Sequence, residues 1–261
     1  MMRALMIVLV ALAPWACAYG QTKATGFLHP NERPDSLLIV PPPPRQGTAA
    51  YDADVETHHA MRALRDTPRW RMAIADADVS FPHAASTFAC ALGVEISEAG
   101  TPHLYRLLQR SLIDAGQSTR QAKDKYARAR PFVVYDEPSC VPADAPALRK
   151  SASYPSGHAA AGWAWALILA EVVPDRAGPI LRRGYQFGLS RVVCGVHWLS
   201  DVDTGRTVGA AAVARLHADA AFRAELELAR AELARAASRA ASGAKDACQA
   251  ESAALATTAT H

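Results

Sequence analysis

The sequence predicts an all-α protein, a single helical domain built around one central apolar helix. Three observations carry that expectation. Half of the 261 residues are hydrophobic, a share that leans on Ala, a strong helix former, while aromatics are only 7%. Alternating strand patterns flanked by hairpin turns are scarce along the whole chain. Residues 157–173 are apolar nearly all the way round, with Trp163, Trp165, Leu167 and Leu169 covering most of the circumference, which places that helix inside a bundle. A chain so rich in apolar residues is not disordered over most of its length. A net charge of +3 is too small to imply a nucleic-acid partner, so any anion site must be local.

The first 18 residues read as a secretory signal peptide. Arg3 gives the positive start, residues 5–13 form an apolar run too short to span a bilayer, and Ala16, Cys17 and Ala18 form a small-x-small cleavage pattern. Cleavage is expected after Ala18. Residues 19–47 are polar and end in Pro41, Pro42, Pro43 and Pro44, the pattern of an extended arm. A helical domain is expected over 48–241. Its first helices are 49–65, ending before Pro68, then 69–77 and 83–92.

Thr101 and Pro102 read as an N-cap and first helical residue, opening a helix through Leu104, Leu107, Leu108 and Leu112 that Gly116 ends. A polar helix with Lys123, Lys125, Arg128 and Arg130 is expected next, over 117–129. Residues 131–155 form a connection rich in Pro, Ser and Asp. Beyond the central helix, 176–189 and 200–218 read as helices, and 219–241 as a charged one with a solvated face. Residues 242–261 lack periodicity and read as a disordered tail. No later stretch approaches the roughly 20 apolar residues of a membrane span.

Export would place the cysteines in an oxidising compartment. Removal of Cys17 leaves Cys90, Cys140, Cys194 and Cys248, with three ways to pair. Sequence alone does not choose among them. The working expectation is Cys90–Cys140, because Cys248 lies in what reads as a loose tail. No cysteine or histidine spacing suggests zinc.

Three short blocks carry chemistry. Lys123 and Arg130 stand seven residues apart, close to two helical turns, so on a continuous helix they would share a face. Pro155, Ser156, Gly157 and His158 directly precede the central helix. A helix start offers unpaired N–H groups and partial positive charge, and Gly157 permits close approach of an anion. Ser190 and Arg191 are followed by His197 and Asp201, four residues apart. A carboxylate on one imidazole nitrogen fixes the tautomer and leaves the other nitrogen's lone pair free to attack.

Taken together, Lys123, Arg130-Pro131, Pro155 to His158, Ser190-Arg191, His197 and Asp201 resemble the three-block signature of the type 2 phosphatidic acid phosphatase superfamily. That superfamily includes vanadium haloperoxidases and the bacterial class A non-specific acid phosphatases, and the likeness is closest to the latter. The gaps fit as well: 23 residues separate Pro131 from Pro155, and 31 separate His158 from Ser190. Ala159 departs from the pattern, since those phosphatases commonly carry Thr there. The resemblance implies an exported, periplasmic acid phosphatase acting on phosphate monoesters, without a cofactor or metal, and it accommodates a homo-oligomer.

By that resemblance, Lys123, Arg130, Ser156, Gly157 and Arg191 bind the phosphoryl group. His197 attacks phosphorus to form a phosphohistidine and Asp201 orients it. His158 protonates the leaving alkoxide, so it should start protonated, and the enzyme should prefer acid. Two other functions use the same residues: vanadium-dependent halide oxidation, and periplasmic phosphate binding without turnover. Haloperoxidases of this superfamily are usually much longer, and a phosphate-binding protein has no need of a His/Asp pair.

Overall fold

A computed structural model describes residues 24–236 and 245–256. The signal-peptide residues, the start of the arm, residues 237–244 and residues 257–261 lie outside the described residues. Every regular element among the described residues is a helix.

In chain order, the arm carries a 3-10 turn (Pro30–Glu32) and a short α-helix, α1 (Ser36–Ile39), before α2 (Ala49–Arg62) and α3 (Pro68–Ala75). Thr48 and Thr67 cap the latter two, each side chain accepting an N–H three residues on. The expected helix over 83–92 is two short ones, α4 (His83–Ser86) and α5 (Ala89–Leu92), because the backbone leaves helical geometry at Phe88. Next come α6 (Pro102–Gln117), α7 (Arg120–Tyr126), α8 (Pro131–Val134) and α9 (Ala145–Arg149). The second half holds α10 (Gly157–Val172), α11 (Ala177–Val193), α12 (Leu199–Leu216), α13 (Ala220–Ala236) and α14 (Lys245–Ala256).

The apolar helix α10 sits at the centre, against α6, α11 and α12. Ala160, Ala164, Trp165, Ala166, Ile168 and Leu169 are all fully buried. Each large apolar side chain so placed contributes about 1.5–3 kcal/mol. Trp165 satisfies its indole N–H on the Leu108 carbonyl at 2.8 Å. Small residues let α12 ride directly on α10: a methyl group at Gly209 would collide with the Ala160 backbone, and one at Gly205 with the Ser156 carbonyl. A backbone bond from the Ser156 N–H to the Asp201 carbonyl, 2.9 Å, ties the first turns of these two helices together.

Three expectations need correction. First, α13 is not merely a solvated face: Phe222, Leu226, Ala229 and Leu233 pack into the main core, and Glu232 accepts the His103 and Leu104 N–H groups at the start of α6. Second, part of the supposed tail is the helix α14, seated on α3. Third, the disulfides are Cys90–Cys248 and Cys140–Cys194, not Cys90–Cys140. The covalent link to α5 and the Glu251–Arg183 pair anchor α14, so it needs little apolar periodicity of its own. No described helix is long and apolar enough to cross a membrane.

Candidate active site

The expected helix through Lys123 and Arg130 stops early. Ala127 takes a left-handed conformation, φ 45°, and ends α7 at Tyr126, so residues beyond it run off the helix. Lys123 and Arg130 therefore do not share a helix face. They meet because the chain turns: Lys123 Nζ donates to the Ala152 and Ser153 carbonyls at 2.9 and 3.2 Å, and Arg130 Nη2 donates to the same Ala152 carbonyl. Arg130 is nearly buried and spends its other N–H groups on the Leu148, Ser151 and Val196 carbonyls, the Ser151 hydroxyl and His197 Nε2.

Arg191, on the last turn of α11, is 1% exposed, and its Nε and Nη1 have no hydrogen-bond partner. Among the described residues no carboxylate lies within ion-pair distance of Lys123, Arg130 or Arg191. Three cations are thus gathered without a direct ion pair, with Asp201 acting on Lys123 and Arg130 only at a distance. Burial, then the neighbouring Arg130, pushes Lys123 down to about 7 and Arg191 down to about 10. A buried cation with vacant donors costs stability unless an anion completes it.

Around these cations stand the two imidazoles. His197 Nδ1 lies 3.2 Å from Asp201 Oδ2 and its Nε2 lies 3.0 Å from Arg130 Nη1. The network assigns the proton to Nδ1, with the Nε2 lone pair accepting from Arg130. Asp201 occupies the first turn of α12, where its Oδ2 also accepts the Trp198 N–H at 2.9 Å. The His–Asp pair is therefore made by a helix start, not by one face of a helix. Burial, then Arg130 and Lys123, holds His197 well below the usual imidazole range.

His158 begins α10 beside Gly157, after the cap Ser156, whose hydroxyl accepts the Ala159 N–H. Its Nε2 is 3.0 Å from the Ala77 carbonyl, just past α3. Burial, then Arg191, pushes His158 down to about 3. Burial and the neighbouring cations favour the neutral form of both imidazoles. Burial first, and Arg191, Arg130 and Lys123 after it, work against the expectation that His158 starts protonated.

Ser190 belongs elsewhere. Its hydroxyl is buried in a network with Asp76 Oδ2, 2.5 Å, and Arg69 Nη1, 2.9 Å, and Asp76 is held in turn by Arg183. This network braces the turn of α11 that carries Arg191. Sequence reasoning also missed Arg128 and Asp54. Arg128 Nη1 donates to Asp201 Oδ1 at 2.6 Å, and Nη2 to Asp54 Oδ2 at 2.8 Å. A cleft of about 250 Å³ flanks Arg130, lined also by Leu148, Ser151 and Ala152.

A helical bundle that gathers Lys123, Arg130, Arg191 and a His–Asp pair has the chemistry of a phosphoryl-transfer enzyme. Residues 107–224 match the profile of the PAP2 superfamily. The chain is 44% identical over 199 residues to the acid phosphatase of Zymomonas mobilis, covering 76% of this chain and 75% of that protein. It is 43% identical over 210 residues to the non-specific acid phosphatase of Providencia stuartii (80% and 85%), and 44% over 208 residues to that of Salmonella typhimurium (79% and 83%). The chain belongs to the PAP2 superfamily, among its bacterial acid phosphatases. Halide oxidation and phosphate binding without turnover give way to phosphatase activity.

Proposed function

We propose that the protein is an exported, metal-independent acid phosphatase that hydrolyses small phosphate monoesters through a phosphohistidine at His197. The observation that carries this reading is the buried His197, with one nitrogen on Asp201 and the other facing the gathered cations.

A monoester carries up to about two negative charges near neutral pH. Its oxygens complete Lys123, Arg130 and Arg191, with the first N–H groups of α10 as neutral donors. Arg130 turning its Nη1 to phosphate uncovers the His197 lone pair. Nε2 then attacks in line: the P–N bond forms as the ester P–O bond breaks, and the cationic phosphoimidazole is stabilised by Asp201. The leaving oxygen takes its proton from His158. In the second half, water attacks phosphorus, the P–N bond breaks, and His158 takes the water's proton.

Burial and Arg191 lower His158 to about 3, so its proton enters with the substrate. A monoanionic ester supplies it: once two negative charges sit among the cations, the imidazolium is no longer opposed. Acid preference then arises from the substrate's ionisation. The charge a metal would contribute is already supplied by the three cations. The signal-like residues 1–18 and two disulfides favour export to the periplasm.

Rapid acid-free quench with a radiolabelled aryl phosphate tests the mechanism. Label should appear on His197 and vanish in His197→Ala; label persisting in that variant would overturn the nucleophile assignment. Full turnover after exhaustive chelation is expected, and loss restored by a divalent ion would refute metal independence. Periplasmic protein should begin at residue 19 by mass.

A further inference from the structure

We infer that Arg128, held in place by Asp54, is a positioning residue that orients Asp201 and opposes its protonation, and so sets the tautomer and nucleophilicity of His197. The inference rests on the reading of His197 as the attacking group.

The geometry is a buried chain of alternating charge. Asp54 on α2 is 3% exposed and accepts from Arg128 Nη2, the Ser200 N–H and the Ser200 hydroxyl, at 2.8, 2.8 and 2.5 Å. Arg128 Nη1 donates to Asp201 Oδ1 at 2.6 Å and to the Ser200 hydroxyl at 2.8 Å. Its guanidinium lies 5.2 Å from the centre of the Trp198 ring, and that indole donates to the Ala129 carbonyl. Asp201 closes the chain on His197 Nδ1. Both Arg128 nitrogens that could reach for phosphate are committed to carboxylates. Arg128 therefore differs in kind from Arg130, two residues on, which is held by carbonyl oxygens and the His197 ring.

The charges explain why the chain is built this way. Asp201 has no exposure to water, and burial alone would favour its neutral acid. Burial raises Asp201 above the ordinary carboxylate range, and Arg128 is the strongest influence opposing that rise. Lys123, Arg130, His197 and Tyr154 also face Asp201, and Asp54 reaches it only through Arg128. A protonated Asp201 would lose its grip on the Nδ1 proton, and the proton could move to Nε2, the nitrogen needed for attack. Asp54, Arg128 and Asp201 sum to one negative charge. That charge matches the cation that forms when His197 is phosphorylated.

The test compares Arg128→Gln, Arg128→Lys and Asp54→Asn with the wild type. In Arg128→Gln, kcat should fall about tenfold to a hundredfold, the range seen when an outer partner of a functional histidine is removed, with KM little changed. Its acid limb should move to higher pH, and Arg128→Lys should recover part of both effects. Asp54→Asn should shift the limb in the same direction by less. The ¹⁵N signals of His197 should report the Nδ1–H form in the wild type and a pH-dependent mixture in Arg128→Gln.

Binding of inorganic phosphate, followed by thermal shift, should survive in Arg128→Gln, which separates positioning from unfolding. An unchanged pH profile and unchanged His197 signals in a folded Arg128→Gln protein would overturn the inference. Label found away from His197 in the quench experiment would instead overturn the nucleophile reading, whatever the Arg128 variants do.

Discussion

Lys123 and Arg130 converge on a single acceptor, the carbonyl oxygen of Ala152, at 2.9 and 3.1 Å. Two cations brought to one neutral dipole repel each other, and burial lowers both from their usual ranges. Arg191 adds a third, with donors left over. On the proposed function, a phosphoryl group relieves this repulsion.

Removing one cation should therefore trade activity for stability. Arg191→Leu is expected to raise the unfolding free energy, within the range of about 1–4 kcal/mol seen when buried charges give way to apolar groups. It should lower kcat/KM by about a hundredfold to a thousandfold. Urea denaturation and steady-state kinetics check both. Phosphate should raise the wild-type Tm strongly and that of the variant little.

Acid should weaken the phosphate-free protein through its imidazoles. His158 and His197 are held below the unfolded value of 6.5, so their contribution to stability is complete above that pH. It drains as pH falls toward about 3, because unfolded imidazoles take protons that the folded site refuses. Tm should fall over this window, and saturating phosphate should flatten the decline.

The alkaline limb of kcat/KM should carry the ester's second ionisation beside the loss of charge at Lys123, lowered to about 7. If the monoanion delivers the proton to His158, esters with a more acidic second ionisation should lose activity at lower pH. A panel of aryl and alkyl phosphates checks this. A limb at one fixed pH for every substrate would contradict it.

Ser190→Ala should behave as a structural change. It removes a buried hydroxyl from Asp76 and Arg69, a loss of about 1–3 kcal/mol. KM for small esters should hardly move. Chemical denaturation beside kinetics separates the two effects.

Much of this site was readable from residue order. The cap at Ser156, the central helix and the His197–Asp201 spacing each have a local physical signature. What escaped reading depends on contacts between distant segments. Asp54 and Arg128, 74 residues apart, sit in stretches whose polarity suggests solvent, and only the fold buries them. The break at Ala127 has no glycine or asparagine to announce a left-handed residue, so the helical pattern seemed to continue. His58 likewise looks like part of a polar helix, yet it is fully buried beside Glu137 and stacked on Tyr135. The Cys90–Cys248 link was hidden because α14 is held by its anchors, with no strong apolar period of its own.

The cations of the cradle recognise the phosphoryl oxygens and little of what those oxygens are attached to. Inorganic phosphate, the end of the reaction, presents the same oxygens without the rest. On the proposed reading such an enzyme would retain its own product, and turnover would slacken as free phosphate accumulates.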